Sequence, residues 1–408
     1  MSTRAALRHA ESGHTGNSVS CIACGGSSVE RFFEMDSVPV QCNVLWPSRE
    51  HALAAPMGRV QLGYCIECGH IFNLAFNPDV IQYDQNYENS LHFSQRFQRY
   101  LDALITGLDE RYSLRGRHVI DVGCGKGEFL TELCRKTGAI GTGFDRSYSG
   151  SQDDWHSKSP APTFVVDFYS EEYADYPVDL LTCRHVLEHI SDPYEFMSMI
   201  RRAIGERTGV RVFLEVPNAL YTIRKMGIWD IIYEHVSYFT PHSLNTLLAR
   251  SGFSDIQITD VFGGQYLAAS AVASDHSGCL SVWEDDLPHR LHDDVLAFRD
   301  RYAAVLNDWR TTISVIRRNQ LRAVIWGTGS KGVTFLNALG VESEVPIAVD
   351  INPRKTGMYV PGTGQLVVAP EQLSDYAPEL VILMNPIYEG EVAGTIRTLG
   401  LDAEIVRA

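Results

Sequence analysis

The apolar positions of this chain change rhythm three times. Residues 19–80 carry only short apolar runs, interrupted by Pro39, Pro47, Pro56 and Pro78. That pattern predicts a small loop-rich module with too little core to stand unaided. Over 90–112 the period becomes helical, with Phe93, Phe97, Leu101, Leu104, Ile105 and Leu108 spaced by threes and fours along one face. From His118 strands and helices alternate. His118–Val122 runs into a glycine loop and a helical stretch over 129–137, and further strands are predicted at 139–144, 163–166, 178–182 and 210–216. A helix over 290–315 follows, then a second strand–glycine–helix unit opening at Ala323. Such alternation predicts an α/β fold with mainly parallel sheets. The expected organisation is a flexible tail (1–18), a small module (19–80), a first α/β domain (81–278) and a second (279–408). Residues 81–115 form a lid and leading helix within the first α/β domain.

Composition narrows this little. A chain of 408 residues, 45% hydrophobic and 21% charged, is an ordinary globular protein, which excludes disorder throughout and a fibrous architecture. The net charge of −15 argues against a nucleic-acid partner, although a small anion could still sit in a local basic pocket. There is no run of 18 apolar residues and no apolar block behind Arg4 and Arg8. The expectation is therefore no membrane span, no secretory leader and a cytoplasmic location.

Cysteine placement changes the picture more. Cys21-x-x-Cys24-Gly25 and Cys65-x-x-Cys68-Gly69 suit a tetrahedral zinc ion in a reducing compartment. Four thiolates leave no open position, so such a metal is structural. Unmetallated buried thiols are the alternative. A redox dithiol fits less well, because neither pair opens a helix. Cys42 is a spare thiol, and Cys124, Cys134, Cys183 and Cys279 stand isolated.

The first glycine loop, Asp121-Val-Gly123-Cys124-Gly125-Lys-Gly127, follows a strand and opens a helix. Its spacing differs from the dinucleotide fingerprint, and an acid begins it, which would repel a pyrophosphate. The loop suits S-adenosylmethionine (SAM), a cation without phosphate. Asp145, after the next strand, can accept bonds from ribose hydroxyls. Asp167 and Phe168, after the third, can meet the adenine amino group and ring. The fourth strand leads into Arg184-His185-Val-Leu-Glu188-His189-Ile-x-Asp192-Pro193. This run and the glycine loop together resemble motifs of the class I SAM-dependent methyltransferases. That resemblance places His185 beside the methionine end of the cofactor. Glu188 and His189 read either as site residues or as polar residues at a helix start.

Two polar clusters remain. Tyr233, Glu234, His235, Ser237 and Tyr238 crowd into one short stretch, where His235 is a candidate general base, Glu234 its orienting carboxylate and Tyr233 a hydrogen-bond donor. Tyr83-Asp84-x-x-Tyr87-Glu88-Asn89-Ser90 reads as a lid over the cofactor or as a surface turn. In the second glycine loop, Gly327-Thr-Gly329-Ser-Lys331-Gly332, backbone N–H groups and Lys331 at a helix start make an anion site, to which Arg354 and Lys355 add charge.

With the four-cysteine module, Glu234-His235-x-Ser-Tyr-Phe and the C-terminal run Asp350-x-Asn352-Pro353-x-Lys355-x-Gly357-x-Tyr359-x-Pro361, the whole chain resembles the sugar C-methyltransferases of deoxysugar and antibiotic biosynthesis. Those enzymes methylate C3 of a nucleotide-linked 4-keto-6-deoxyhexose. The resemblance implies that Glu234 and His235 belong to the catalytic loop, that Tyr87 approaches from the N-terminal side, and that Gly327, Gly329, Lys331, Lys355 and Tyr359 hold a nucleotide sugar. The chain departs from the family's Tyr-His-Glu-His by reading Ile232-Tyr233-Glu234-His235. An O- or N-methyltransferase on a related small polar substrate is the alternative reading.

Overall fold

A computed structural model describes residues 19–81, 87–150, 161–207, 209–274 and 287–408. The tail, Tyr83, Asp84 and Cys279 lie outside the described residues. The N-terminal segment is more regular than its proline content predicts. Strands β1 (Val29–Pro39), β2 (Met57–Cys65) and β3 (Ile71–Asn73) form an antiparallel sheet. β1 pairs with β2 through two irregularities, and these break the alternation that the sequence would otherwise have shown.

The first α/β domain contributes β4 (His118–Val122), β5 (Ile140–Phe144), β6 (Thr163–Val165), β7 (Leu180–Arg184) and β8 (Arg211–Pro217). A two-residue strand, β9 (Ser237–Tyr238), precedes the hairpin of β10 (Phe253–Val261) and β11 (Tyr266–Ala273). Seven of these strands lie in the order β10-β11-β8-β7-β4-β5-β6, with β8 to β6 parallel and β11 antiparallel beside β8. The chain order reverses at β4, so a crevice opens beyond the carboxyl ends of β4 and β7, where α/β sheets bind ligands. The helix before β4 spans Gln95–Tyr112 and is capped by Ser94. It buries Phe97, Leu101, Ile105 and Leu108 as expected, while Phe93 falls outside it and is exposed.

The C-terminal sheet comprises β12 (Ala323–Trp326), β13 (Ile347–Val349), β14 (Leu366–Val368), β15 (Leu380–Leu383) and β16 (Glu404–Arg407). It is all parallel, in the order β14-β13-β12-β15-β16. A helix spanning Leu287–Asn319 leads into it, longer at both ends than its apolar pattern predicts.

The three sheets interlock. β9 lies outside the seven-stranded sheet and pairs with β3, setting Tyr238 opposite Ile71 and Ser237 opposite Phe72. Phe239 then bridges back to Asn218 at the end of β8. The module's missing core comes from its neighbours. Phe33 packs edge-on against Phe298 and Tyr302 of the long helix, with ring centroids 5.5 and 4.6 Å apart. One apolar cluster joins Phe33 and Val60 to Ile232, Ile325 and Phe335. Trp46 exchanges backbone hydrogen bonds with Tyr359, tying the module directly to the C-terminal domain. The segment 229–239 is therefore held from three sides, which fixes its backbone.

Candidate active site

One cavity of about 560 Å³ lies between the two α/β sheets, and both glycine loops open into it. On the first loop, Gly123 has φ +70° and its α-carbon faces Val186 so closely that any Cβ would collide with that side chain. Only glycine lets the backbone turn here and leave room for a ligand. Asp121 is buried at the loop's start and accepts from Thr182 Oγ1 at 2.7 Å. Burial pushes its carboxyl up to about 6, against the hydrogen bond from Thr182. Asp145 holds the loop from the far side, accepting from Gly125 N at 2.8 Å and from the Ser147 amide and hydroxyl at 2.7 Å. Asp121, Gly123, Cys124, Gly125, Asp145 and Phe168 all line the cavity. A phosphate-free cationic cofactor fits this wall, which offers bare backbone and two carboxylates. Asp167 does not reach it: the side chain is exposed, and its carboxylate is taken by Phe168 N at 2.8 Å and Tyr173 Oη at 2.7 Å. β6 ends at Val165, two residues earlier, and the turn after it carries Asp167 outward.

His185, with φ +55°, sits at the crevice between two buried carboxylates. Its Nε2 lies 2.7 Å from Glu215 Oε1 and its Nδ1 3.5 Å from Glu188 Oε1. Burial disfavours the charged ring, but the hydrogen bonds to Glu188 and Glu215 outweigh it and raise the imidazole to about 9. Glu215 also takes Arg184 at 2.8 Å and the Tyr100 hydroxyl. Burial alone would raise it; Arg184 first, then His185 and Tyr100, hold its carboxyl down at about 2. Sequence reasoning missed this network, although a single Glu in the apolar run Val212–Val216 was its signal.

Along the segment 229–239, Glu234 is wholly buried and fully engaged. One carboxylate oxygen accepts from the amides of Cys42 and Asn43, and the other accepts from Tyr87 Oη at 2.9 Å. Its carbonyl accepts from His189 Nδ1 at 3.1 Å. Glu234 therefore clamps the N-terminal loop and Tyr87 to the segment 229–239, and its carboxylate is not spent on orienting His235. His235 lines the cavity beside His189, with ring centroids 4.9 Å apart. Burial, reinforced by His189, pushes its imidazole down to about 3, so the ring is neutral at physiological pH. His185 and His235 thus hold opposite protonation states in one site.

Tyr233 is not at the reacting end. Its ring is buried in the core against Phe76 and the backbone at Gly58, and its hydroxyl accepts from Asn77 N at 2.9 Å. Residues 233 and 234 lie in a turn before β9, which sends Tyr233 into the core and Glu234 toward the Cys42 amide. Tyr87, in contrast to Tyr233, faces the cavity. It opens a segment, Tyr87–Ser94, that lines the cavity throughout and touches all three parts of the molecule. Glu88 N donates to Asn43 O at 3.0 Å, Ser90 Oγ to Glu128 at 3.0 Å, Asn352 Nδ2 to Glu88 at 3.0 Å and Ser94 Oγ to Glu391 at 2.8 Å.

On the C-terminal side, Gly327, Gly329, Lys331 and Lys355 line the cavity. Their cations are already paired. Lys331 Nζ binds Asp230, Lys355 Nζ lies 3.1 Å from Asp350, and Arg354 reaches Glu88 at 3.3 Å and Glu128 at 3.5 Å. The expected basic pocket is therefore a set of ion pairs. Tyr359 lies at the bridge to Trp46, away from the cavity, because the C-terminal chain turns there to meet the module.

The four module cysteines do converge. Cys21 Sγ is 3.7 Å from Cys68 Sγ and Cys24 Sγ is 3.6 Å from Cys65 Sγ, with all four within 4.8 Å of one another. Tetrahedral ligands about 2.3 Å from zinc stand about 3.8 Å apart, whereas a disulfide needs about 2.05 Å. The donor set therefore fits a structural zinc ion.

Two family models match the chain: a methyltransferase domain over residues 92–258 and a C-methyltransferase C-terminal domain over 280–400. The fold, the glycine loop and these matches define the class: the chain belongs to the class I SAM-dependent methyltransferases. It is 30% identical over 174 residues to a ubiquinone biosynthesis O-methyltransferase of Coxiella burnetii (strain Dugway 5J108-111), covering 39% of this chain and 71% of the relative. It is 25% identical over 391 residues to C-methyltransferase NovU of Streptomyces niveus, covering 91% of this chain and 90% of that one. Among solved structures, magnesium protoporphyrin IX methyltransferase (ChlM) from Synechocystis PCC 6803 with bound SAH is 21% identical, covering 44% of this chain and 84% of that one, with a TM-score of 0.34. Among the described residues, no helix is long and apolar enough to cross a membrane.

Proposed function

We propose that this enzyme methylates a carbon next to the ketone of a nucleotide-linked keto-deoxysugar. The observation that carries the reading is the single cavity onto which both glycine loops open, with His235 and Tyr87 on its wall. The likeness to NovU, which spans the module and both α/β domains, supports it. Bound SAM supplies an electrophilic methyl group. Asp121, Gly123, Cys124, Gly125, Asp145 and Phe168 would hold it, with His185 at the methionine end. His235 takes the proton from the carbon beside the ketone, leaving the bonding pair as an enolate. Tyr87 lines the same wall, its hydroxyl proton held by Glu234 Oε2. The enolate carbon would take the methyl that SAM supplies, the sulfur keeping the bonding pair of the broken bond, and His235 would then return its proton to water. Holding the two reactants in register supplies much of the rate.

The nucleotide's phosphates would meet the amides at the start of the helix Ser330–Leu339, whose cap residue Gly329 offers no side chain to compete. Lys331 would leave Asp230 to join them. Lys331→Ala is expected to raise KM for the nucleotide sugar about tenfold, as for the loss of one charged hydrogen bond of roughly 1.5 kcal/mol, with kcat little changed. Zinc in the four-cysteine cluster would be structural. No disulfide joins the eight described cysteines, which suits a reducing cytoplasm. A mass-spectrometric screen of SAM with keto-deoxysugar nucleotides tests the reading. It should give a singly methylated sugar, and methylation of none of them would contradict it.

A further inference from the structure

The mechanism needs a counter-charge for the imidazolium that forms on His235, and Glu234 cannot supply it. Its two carboxylate oxygens already accept from Cys42, Asn43 and Tyr87. Another carboxylate is close by. Glu188, His189 and His235 bring an oxygen and two ring nitrogens within 4.8 Å of one another. Glu188 is 1% exposed. Its Oε1 faces His185 Nδ1 at 3.5 Å, whereas its Oε2 is buried with no hydrogen-bond partner. A buried carboxylate oxygen left unpaired is costly in a resting protein. It is explained if its partner appears only during turnover.

We propose that Glu188 is the positioning carboxylate of the general base, with Oε2 accepting charge and hydrogen bond from the His235 imidazolium as the substrate carbon loses its proton. This rests on the reading of His235 as the base. The proton moves from carbon to the imidazole nitrogen, the bonding pair stays on the enolate, and Glu188 remains ionised throughout. The surroundings make such a partner necessary. His189 stands beside the His235 ring, and His185 and Lys331 add positive charge at longer range, so each opposes a second cation there. His189 spends its Nδ1 proton on the Glu234 carbonyl. Glu188 is the acid among these neighbours, and burial notwithstanding, His185, His189 and His235 hold its carboxyl below its ordinary value. His185 fixes Glu188 from behind and is itself fixed by Glu215. The chain Glu215–His185–Glu188–His235 thus runs from the sheet to the reacting atom.

The test is Glu188→Gln in the full-length enzyme, followed by solvent exchange of deuterium from the carbon next to the ketone and by methyl transfer. Exchange and kcat should fall about 100-fold, within the range a positioned proton-transfer group supplies. KM and the Kd for SAM should stay within about twofold, and the primary deuterium isotope effect on methyl transfer should rise as proton removal becomes limiting. Glu188→Asp should recover part of the rate. Unchanged exchange would overturn the proposal, as would a parallel loss of SAM binding and melting temperature. A divalent cation beyond the cysteine cluster, found in the purified enzyme and lost in Glu188→Gln, would overturn it too, by showing a ligand set in place of a base and its partner. Exchange that persists in His235→Ala would instead defeat the reading beneath it. Exchange that needs His235 but ignores Glu188 would defeat this inference alone.

Discussion

Replacing His235 with Ala should abolish proton removal while leaving cofactor binding intact. Exchange of deuterium next to the ketone, and methyl transfer with it, are expected to drop by about three orders of magnitude, the loss typical of a general base. The Kd for SAM should change little, because the cofactor loop is built on β4, β5 and β7 and not on the catalytic segment. Isothermal titration alongside the exchange assay separates the two. The pH dependence carries a second signature. An ordinary histidine protonates near 6.5. Burial, reinforced by His189, pushes His235 down to about 3, so its neutral, basic form persists far below that value. His235 should therefore add no falling limb to kcat/KM between pH 7.5 and pH 5.5, where Asp121, at about 6, is the site group that titrates. A limb through pH 6.5 that persists in Asp121→Asn would mean that the His235 ring is solvated and positioned otherwise.

The largest effect on stability is expected from Cys65→Ser. Cys65 ends β2, is fully buried and faces Cys24 at 3.6 Å. Its cluster packs in one core with Phe72 of β3, with Phe239 and Leu244, and with Leu214 and Val216 of β8. Removing one thiolate should release the metal and leave three thiols crowded at distances that only a bridging ion makes favourable. Loss of a structural metal belongs among the few single changes worth more than about 4 kcal/mol. Activity should fall as well, because β3 follows directly from this cluster and carries β9, the strand beside the catalytic loop. Metal analysis should find one zinc per wild-type chain and none in the variant, with a lower melting temperature. A variant that keeps wild-type metal content and melting temperature would remove zinc from the account.

What the sequence revealed followed local rules. The glycine loop, its leading Asp121 and the strand–helix alternation each depend on a few adjacent residues, and each is where the pattern places it. The Cys-x-x-Cys pairs were legible because two short spacings and one metal geometry determine them. What was not legible depended on contacts between distant segments. Tyr233 and Glu234 are neighbours in sequence, but the turn they form sends one into the core and the other toward Cys42, and no spacing reveals that. Asp167 had the right residue type after the right strand, yet its carboxylate is held by Tyr173, six residues on. Tyr359 shared a motif with Lys355 but serves the junction with Trp46. The cations Lys331, Arg354 and Lys355 were read as a basic pocket because their partners, Asp230, Glu88 and Asp350, arrive partly from other parts of the chain. Glu215 carried its own signal, a charge within an apolar run, and Glu188 stands in the polar motif after the fourth strand of its sheet; the site is organised around that pair.

The central claim is that the methyl group is placed on carbon. Incubating the enzyme with SAM labelled with carbon-13 in its methyl group and a keto-deoxysugar nucleotide, then recording the product's carbon–proton NMR spectrum, tests it most directly. The account predicts a labelled methyl coupled to a ring carbon, with loss of the proton next to the ketone. A labelled methyl bonded to oxygen or nitrogen, with that proton retained, would contradict it.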